Sequence, residues 1–286
     1  MAASSSAACL NCGAPLAGAY CSRCGQKAAR PDLTLAGFLH ETTHELTHWD
    51  GKIPATLKTL LLQPGVLTRD FLEGRRVRWL APFRVYLICS LAFFASKPVI
   101  EAITHRSARE LAQVTITADD GTRTLTPEQR QRIAEGLPAH FIPLERLEAA
   151  AAQGTRLNSE INAAFPKAMF VLLPVFAVLT HAAWRKTRPG YPAHLYVALH
   201  IHAAVFAALT ILDIVIGFIP SNVVAAIASV IFVVYVGWYG LVALHRIFDD
   251  SWPKSIAKSV GVAAVYFLCV GVVSFALLIY AITRMS

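Results

Sequence analysis

Four of the six cysteines are spaced for chemistry. Cys9-Leu10-Asn11-Cys12 and Cys21-Ser22-Arg23-Cys24 are two CxxC pairs, and four thiolates at that spacing can close a tetrahedron around zinc. A glycine follows each pair, Gly13 and Gly25, which suits a knuckle whose backbone bends around the sulfurs with positive φ. Four protein ligands leave no position for water, so the expected zinc is structural and folds a ribbon too short to have a core of its own. A redox dithiol would need one pair and a thioredoxin-like βαβ setting, which the surrounding sequence lacks. Cys89 and Cys269 lie in apolar runs and read as small hydrophobes.

A second pattern lies just downstream. His40-Glu41-Thr42-Thr43-His44 and His44-Glu45-Leu46-Thr47-His48 are overlapping HExxH motifs, which on a helix can supply two zinc ligands and a general base. His44, Glu45 and His48 are therefore the candidate catalytic residues of a metalloprotease. On a helical wheel, however, Leu35, Phe38, Leu39, Leu46 and Trp49 form one face, and His40, His44 and His48 lie opposite on the polar face. This fits a cytosolic amphipathic helix with its histidines toward water. No third ligand motif such as HxxGxxH follows. The same stripe could also bind metal or sense protons.

Polar groups inside apolar runs form a third set. Lys97 and Asp213 are charged residues within predicted spans, and either pair with each other or snorkel to the nearer interface. His181, His200 and His202 fall near the cytosolic ends of two spans and could converge on a metal or proton site. Arg75, Arg76 and Arg78 form a basic collar before the first span, placed for lipid headgroups.

The elements that must carry these residues are membrane helices. Of 286 residues, 55% are hydrophobic and only 15% charged, with a mean hydropathy of +0.50, against roughly one-quarter charged in a soluble domain. Five apolar runs approach or reach the span length of about 20 residues: Val85 to Ile103, Ala168 to Trp184, Leu195 to Ile219, Val223 to Leu244 and Val260 to Ile282. The fold class is thus an all-α membrane bundle of about five transmembrane helices. An N-terminal zinc ribbon (1–30) and amphipathic and juxtamembrane helices (31–84) precede the membrane domain (85–286). The net charge of +8 sits in short runs beside these stretches, which points to anionic lipids and argues against nucleic acid.

Orientation follows from the positive-inside rule. Arg69, Arg75, Arg76, Arg78 and Arg84 precede the first span, Arg185, Lys186 and Arg188 fill the second loop, and Arg246, Lys254 and Lys258 lie in the segment 245–258. These belong in the cytosol, giving an N-terminus inside, a C-terminus outside and an extracytosolic loop 104–164. Met1 to Ala8 has no charged region and no apolar core, so no cleavable signal is expected there.

Several segments together resemble a family of uncharacterised bacterial membrane proteins, known as a domain of unknown function. They are the ribbon ending Tyr20-Cys21-Ser22-Arg23-Cys24-Gly25-Gln26, the helix with His44 and His48, Thr56 to Leu62 before Gln63-Pro64-Gly65, and Phe71-Leu72-Glu73-Gly74-Arg75-Arg76 before Pro82. The resemblance implies a bacterial inner-membrane location and a frequent lack of Glu at the position of Glu45, which weakens the protease reading further. The function expected is noncatalytic, a ribbon that recruits or positions a cytosolic partner at the membrane, with an oligomer possible in principle. The alternative is a small-solute or ion transporter or channel using Lys97, Asp213 and the histidines.

Overall fold

The computed structural model describes residues 8–28, 51–104, 154–188, 190–219 and 221–284. Within them lie seven α-helices and no strand: α1 Ile53–Leu62, α2 Val66–Leu72, α3 Pro82–Thr104, α4 Gly154–Trp184, α5 Tyr191–Phe218, α6 Asn222–Phe248 and α7 Trp252–Arg284. His40, His44, Glu45 and His48 lie outside the described residues, as does most of the loop 104–164. Four helical stretches are long and apolar enough to cross a membrane: Pro82–Ile100, Tyr191–Phe218, Asn222–Phe248 and Trp252–Tyr280. The apolar part of α4, Ala168–Trp184, is shorter.

The five long helices each begin before the apolar run that announces them, because the backbone hydrogen-bond ladder continues wherever φ and ψ allow and does not stop where hydropathy falls. The segment 245–258, read from sequence as a cytosolic loop, is mostly helical. It breaks only at Asp249 to Ser251, where Asp249 takes a left-handed conformation with φ 55° and closes α6 through its N–H to the His245 carbonyl. Proline marks several helix starts, Pro54 in α1, Pro82 in α3, Pro192 in α5 and Pro253 in α7, since its missing N–H is free of partners there in any case.

Two compact units divide the chain. One comprises the described residues up to Lys97 with Leu173–Val265; the other comprises those in Pro98–Leu172 and Tyr266–Ser286. The first is organised around α5. Every residue from Pro192 to Ala204 is buried, and Ala193, Ala198, Ala203 and Ala204 let neighbouring helices approach closely. Helices α1, α2 and α6 all pack on α5, and α2 also packs on α6. Aromatic rings fill the contact between α3 and α5: Phe206 meets Tyr86 at 5.8 Å and Phe93 at 5.4 Å between ring centres. In the same unit α6 and α7 expose Val230, Val234 and Val260, as helix faces against hydrocarbon do.

The Gln63-Pro64-Gly65 break between α1 and α2 is pressed onto α6. Tyr235 Oη donates to the Leu61 carbonyl at 3.0 Å, and an Arg246 guanidinium nitrogen donates to the Pro64 carbonyl. Gly65 has φ +79°, and a Cβ there would stand 2.8 Å from the Ala243 carbonyl oxygen. Backbone meets backbone, so neither side can swing away. Gly65→Ala is expected to destabilise the first unit by about 1–3 kcal/mol, whereas Gly237→Ala, with open space around it, should be neutral or slightly stabilising. Unfolding of the full chain in detergent, followed by circular dichroism, checks the contrast.

Candidate metal centre and its seat

The ribbon is one knuckle built twice. Cys9 N–H donates to the Ala14 carbonyl and Gly13 N–H to Cys9; twelve residues on, Cys21 N–H donates to Gln26 and Gly25 N–H to Cys21, all at 2.8 to 2.9 Å. Isolated bridges Ala8↔Pro15 and Tyr20↔Lys27 close the two turns. Gly13 and Gly25 have φ of 73° and 74° with open space where a Cβ would be, so glycine is needed there for conformation and not for room.

This repetition brings four sulfurs together. Cys9 and Cys24 sulfurs are 3.6 Å apart, as are those of Cys12 and Cys21, and all four lie within 4.8 Å of one another. Metal–sulfur bonds of about 2.3 Å at tetrahedral angles put sulfurs about 3.8 Å apart, so the donor set is compatible with a metal ion. Among the described residues no other group of three or more His, Cys, Asp or Glu is so placed. The amide of Gln26 draws the Cys24 thiol down to about 6, and the amides of Cys24 and Arg23 lower Cys21. At Cys12 the Ala14 amide also favours the thiolate, but burial and hydrogen bonds shared with the other three sulfurs prevail and push it up to about 11. Some thiolates form readily, and a cation must stabilise the rest.

Gln26 joins this knuckle to the helices. Its backbone serves the ribbon, while its buried side chain donates from Nε2 to the Gly74 carbonyl at 2.7 Å and accepts at Oε1 from the amides of Arg76 at 3.2 Å and Val77 at 3.4 Å. The first knuckle has Ala14 in the equivalent place. That mismatch between two otherwise repeated turns is the signal that could have singled Gln26 out.

The turn that Gln26 grips is shaped by Asp70 on α2. Its Oδ1 accepts from Arg75 Nε at 2.9 Å and Nη2 at 2.7 Å, and its Oδ2 accepts from Trp79 Nε1 at 2.8 Å. Arg75 also meets Glu73 at 2.6 Å. Arg76 stacks its guanidinium 4.3 Å from the Phe71 ring centre and donates to the Phe71 carbonyl. All three collar arginines are thus engaged by protein groups: Arg78, with a half-exposed side chain, also reaches Asp70 Oδ2 at 3.6 Å and lies over the Trp79 ring at 5.0 Å.

The polar residues of the spans do not share one site. Asp213 lies 2.7 Å from Ser96 Oγ and forms no ion pair with Lys97, whose side chain is exposed. His200 hydrogen-bonds with Thr68 on α2 at 2.9 Å, and His202, buried beside Phe176, reaches the Ala198 carbonyl at 2.8 Å. Two residues apart on one helix, these rings point different ways. His181 is elsewhere, 5.0 Å from His194 between ring centres. His194 escaped the sequence reading because it sits at the edge of an apolar run, where histidine is unremarkable. Trp184 and Tyr239 are enclosed by protein.

Residues 50–94 match the profile of a family described as "Protein of unknown function (DUF3667)". That stretch holds α1, α2, the Asp70-centred turn and the first part of α3, and it ends short of the ribbon on the N-terminal side. Neither a curated protein nor a solved structure matches the chain.

The Asp70 side chain is only 11% exposed, and breaking so enclosed an ion pair leaves Arg75 without its main partner. Asp70→Asn should destabilise the chain by about 2–4 kcal/mol. Glu73→Gln, at 31% exposure, should cost less than about 1 kcal/mol. Paired denaturation curves of the two variants against wild type measure the difference.

Proposed function

We propose that this chain is a noncatalytic protein of the bacterial cytoplasmic membrane whose N-terminal ribbon binds zinc for structure and holds a partner-binding surface at a fixed place beside the membrane-proximal helices. The observation that carries this reading is Gln26, whose backbone belongs to a metal knuckle and whose side chain grips the Gly74–Val77 turn. A ribbon serving only as a mobile tag would have no use for a buried amide reaching 48 residues along the chain. Thiolate softness and tetrahedral spacing favour zinc over harder ions. Leu10 and Tyr20, 43% and 63% exposed, offer apolar contact to a cytosolic protein.

Five spans with the N-terminus in the cytosol agree with the basic residues before α3, between α4 and α5, and around the α6–α7 turn. The fifth span is α4: its 31 residues extend about 46 Å, and residues 154–167 precede the shorter apolar part Ala168–Trp184. Of the collar residues Arg75, Arg76 and Arg78, it is Arg78, half-exposed, that keeps part of its side chain open to lipid headgroups.

Cobalt substitution gives the ribbon a thiolate charge-transfer band, which Cys24→Ser should abolish and His44→Ala should leave intact. Crosslinking in native membranes should then recover a partner set that disappears when residues 1–30 are deleted. Gln26→Ala should keep the cobalt band yet weaken the crosslinks several-fold, because the ribbon stays folded and loses its seat. A partner set unchanged by the deletion would sink the recruitment reading.

A further inference from the structure

The last turn of α4 and the first turn of α5 bring two imidazoles together, and the packing leaves a ring nitrogen of each without a partner among the described residues. His194 is fully buried, and its Nε2 lies 3.0 Å from the Arg188 carbonyl. A carbonyl only accepts, so Nε2 carries the hydrogen and Nδ1 of the neutral ring is left as a bare lone pair. That Nδ1 is buried with no hydrogen-bond partner among the described residues, and the Nδ1 of His181 is in the same condition. Two neighbouring imidazoles that each bury an orphaned nitrogen are rare in a packed interior, where buried polar atoms are nearly always satisfied by protein, water or an ion.

The spacing of the rings says what would satisfy them. Their centres are 5.0 Å apart and their planes are inclined by 75°. With metal–nitrogen bonds of about 2.0–2.1 Å, two imidazoles on one tetrahedral ion have ring centres about 5.2 Å apart, whereas on a linear two-coordinate ion they stand about 6.3 Å apart. The observed separation fits the tetrahedral case.

His194 also has the support that a ligand imidazole requires. Metal-bound histidines characteristically donate their other ring N–H to a carbonyl or carboxylate, which fixes the tautomer and aims the lone pair; the Arg188 carbonyl does this here. Stacking holds the ring plane as well. Phe248 lies against His194 at 5.3 Å and 19°, and Trp184 lies against Phe248 at 4.7 Å and 10°. Trp184 is in turn tethered through Nε1 to Asp250 at 2.9 Å. His181 is partly exposed.

We infer that His181 and His194 form a second metal site, for a zinc-class divalent ion bound through both Nδ1 atoms, with two positions open to water or an exogenous ligand. The positive charge of Arg188 on the same turn works against a bare dication, so the open positions suit an anionic group such as a carboxylate. Unlike the four-cysteine ribbon, this site would be open and could take a ligand.

The test uses the untagged full chain in detergent, dialysed against zinc and analysed for bound metal, with cobalt substitution to distinguish the sites by their spectra. The expected result is two ions per chain in the wild type and one in His181→Phe and in His194→Phe, both of which keep a ring in the stack. The thiolate band of the ribbon should be unchanged in each variant. If His194→Phe does not fold, His181→Ala at the partly exposed position decides the matter alone. A wild type that holds only the ribbon's ion, its histidine nitrogens satisfied by water, would overturn the inference, as would a second ion that survives substitution of His181. A chain lacking the thiolate band but holding the histidine-dependent ion would remove the ribbon reading and leave this one standing.

Discussion

The carboxylate of Asp70 is the contact on which the arrangement of the first unit turns. Placed on a short helix between α5 and α6, it accepts two hydrogen bonds from Arg75 and one from the Trp79 indole, and so folds residues 74–79 back over α2. Folding them back presents one carbonyl and two amides in the geometry that a single glutamine amide can satisfy. The ribbon's position therefore depends on an ion pair more than 40 residues away, and the ion pair depends on α2 being held in place. Gly65 against Ala243 and Thr68 against His200 do that holding.

The same chemistry recurs at the turn between α6 and α7. Asp250 accepts from the Trp184 indole at 2.9 Å and from Lys258 at 2.7 Å, and Lys258 lies 5.2 Å from the Trp184 ring centre. Lys258 holds the Asp250 carboxyl below the usual carboxylate range. In both places an aspartate joins an indole and a cation. The reason is common to both: apolar helices that end together leave indole donors and basic side chains crowded against few acceptors, and one carboxylate with two oxygens can serve several of them. A chain with only 15% charged residues has few other ways to tie its helix ends.

Such pairing changes the meaning of the basic residues. Positive charge before a span is ordinarily read as topology and lipid contact, and that reading counts charges without their partners. Arg75 and Arg76 are largely engaged by Asp70, Glu73 and Phe71, so their stems and guanidinium groups build the fold, and even the half-exposed Arg69 and Arg78 pair with Glu73 and Asp70. Lys97 and Asp213 show the same limit: the sequence registers two opposite charges in spans, and Ser96, a residue of no apparent note, is the group beside the carboxylate.

Much was legible in the sequence because it is governed by local rules. The helical character follows from long apolar runs, and the four-cysteine site from two repeated CxxCG turns that each fold over a few residues. What only the tertiary structure decided is which polar groups meet: Gln26 with Gly74, Asp70 with Trp79, Ser96 with Asp213, His181 with His194. These pairings span from 9 to 117 positions and carry no period or motif, because a single hydrogen bond is satisfied by many residue types. Which type receives it is settled only when packed helices bring two backbones to within a side chain's reach.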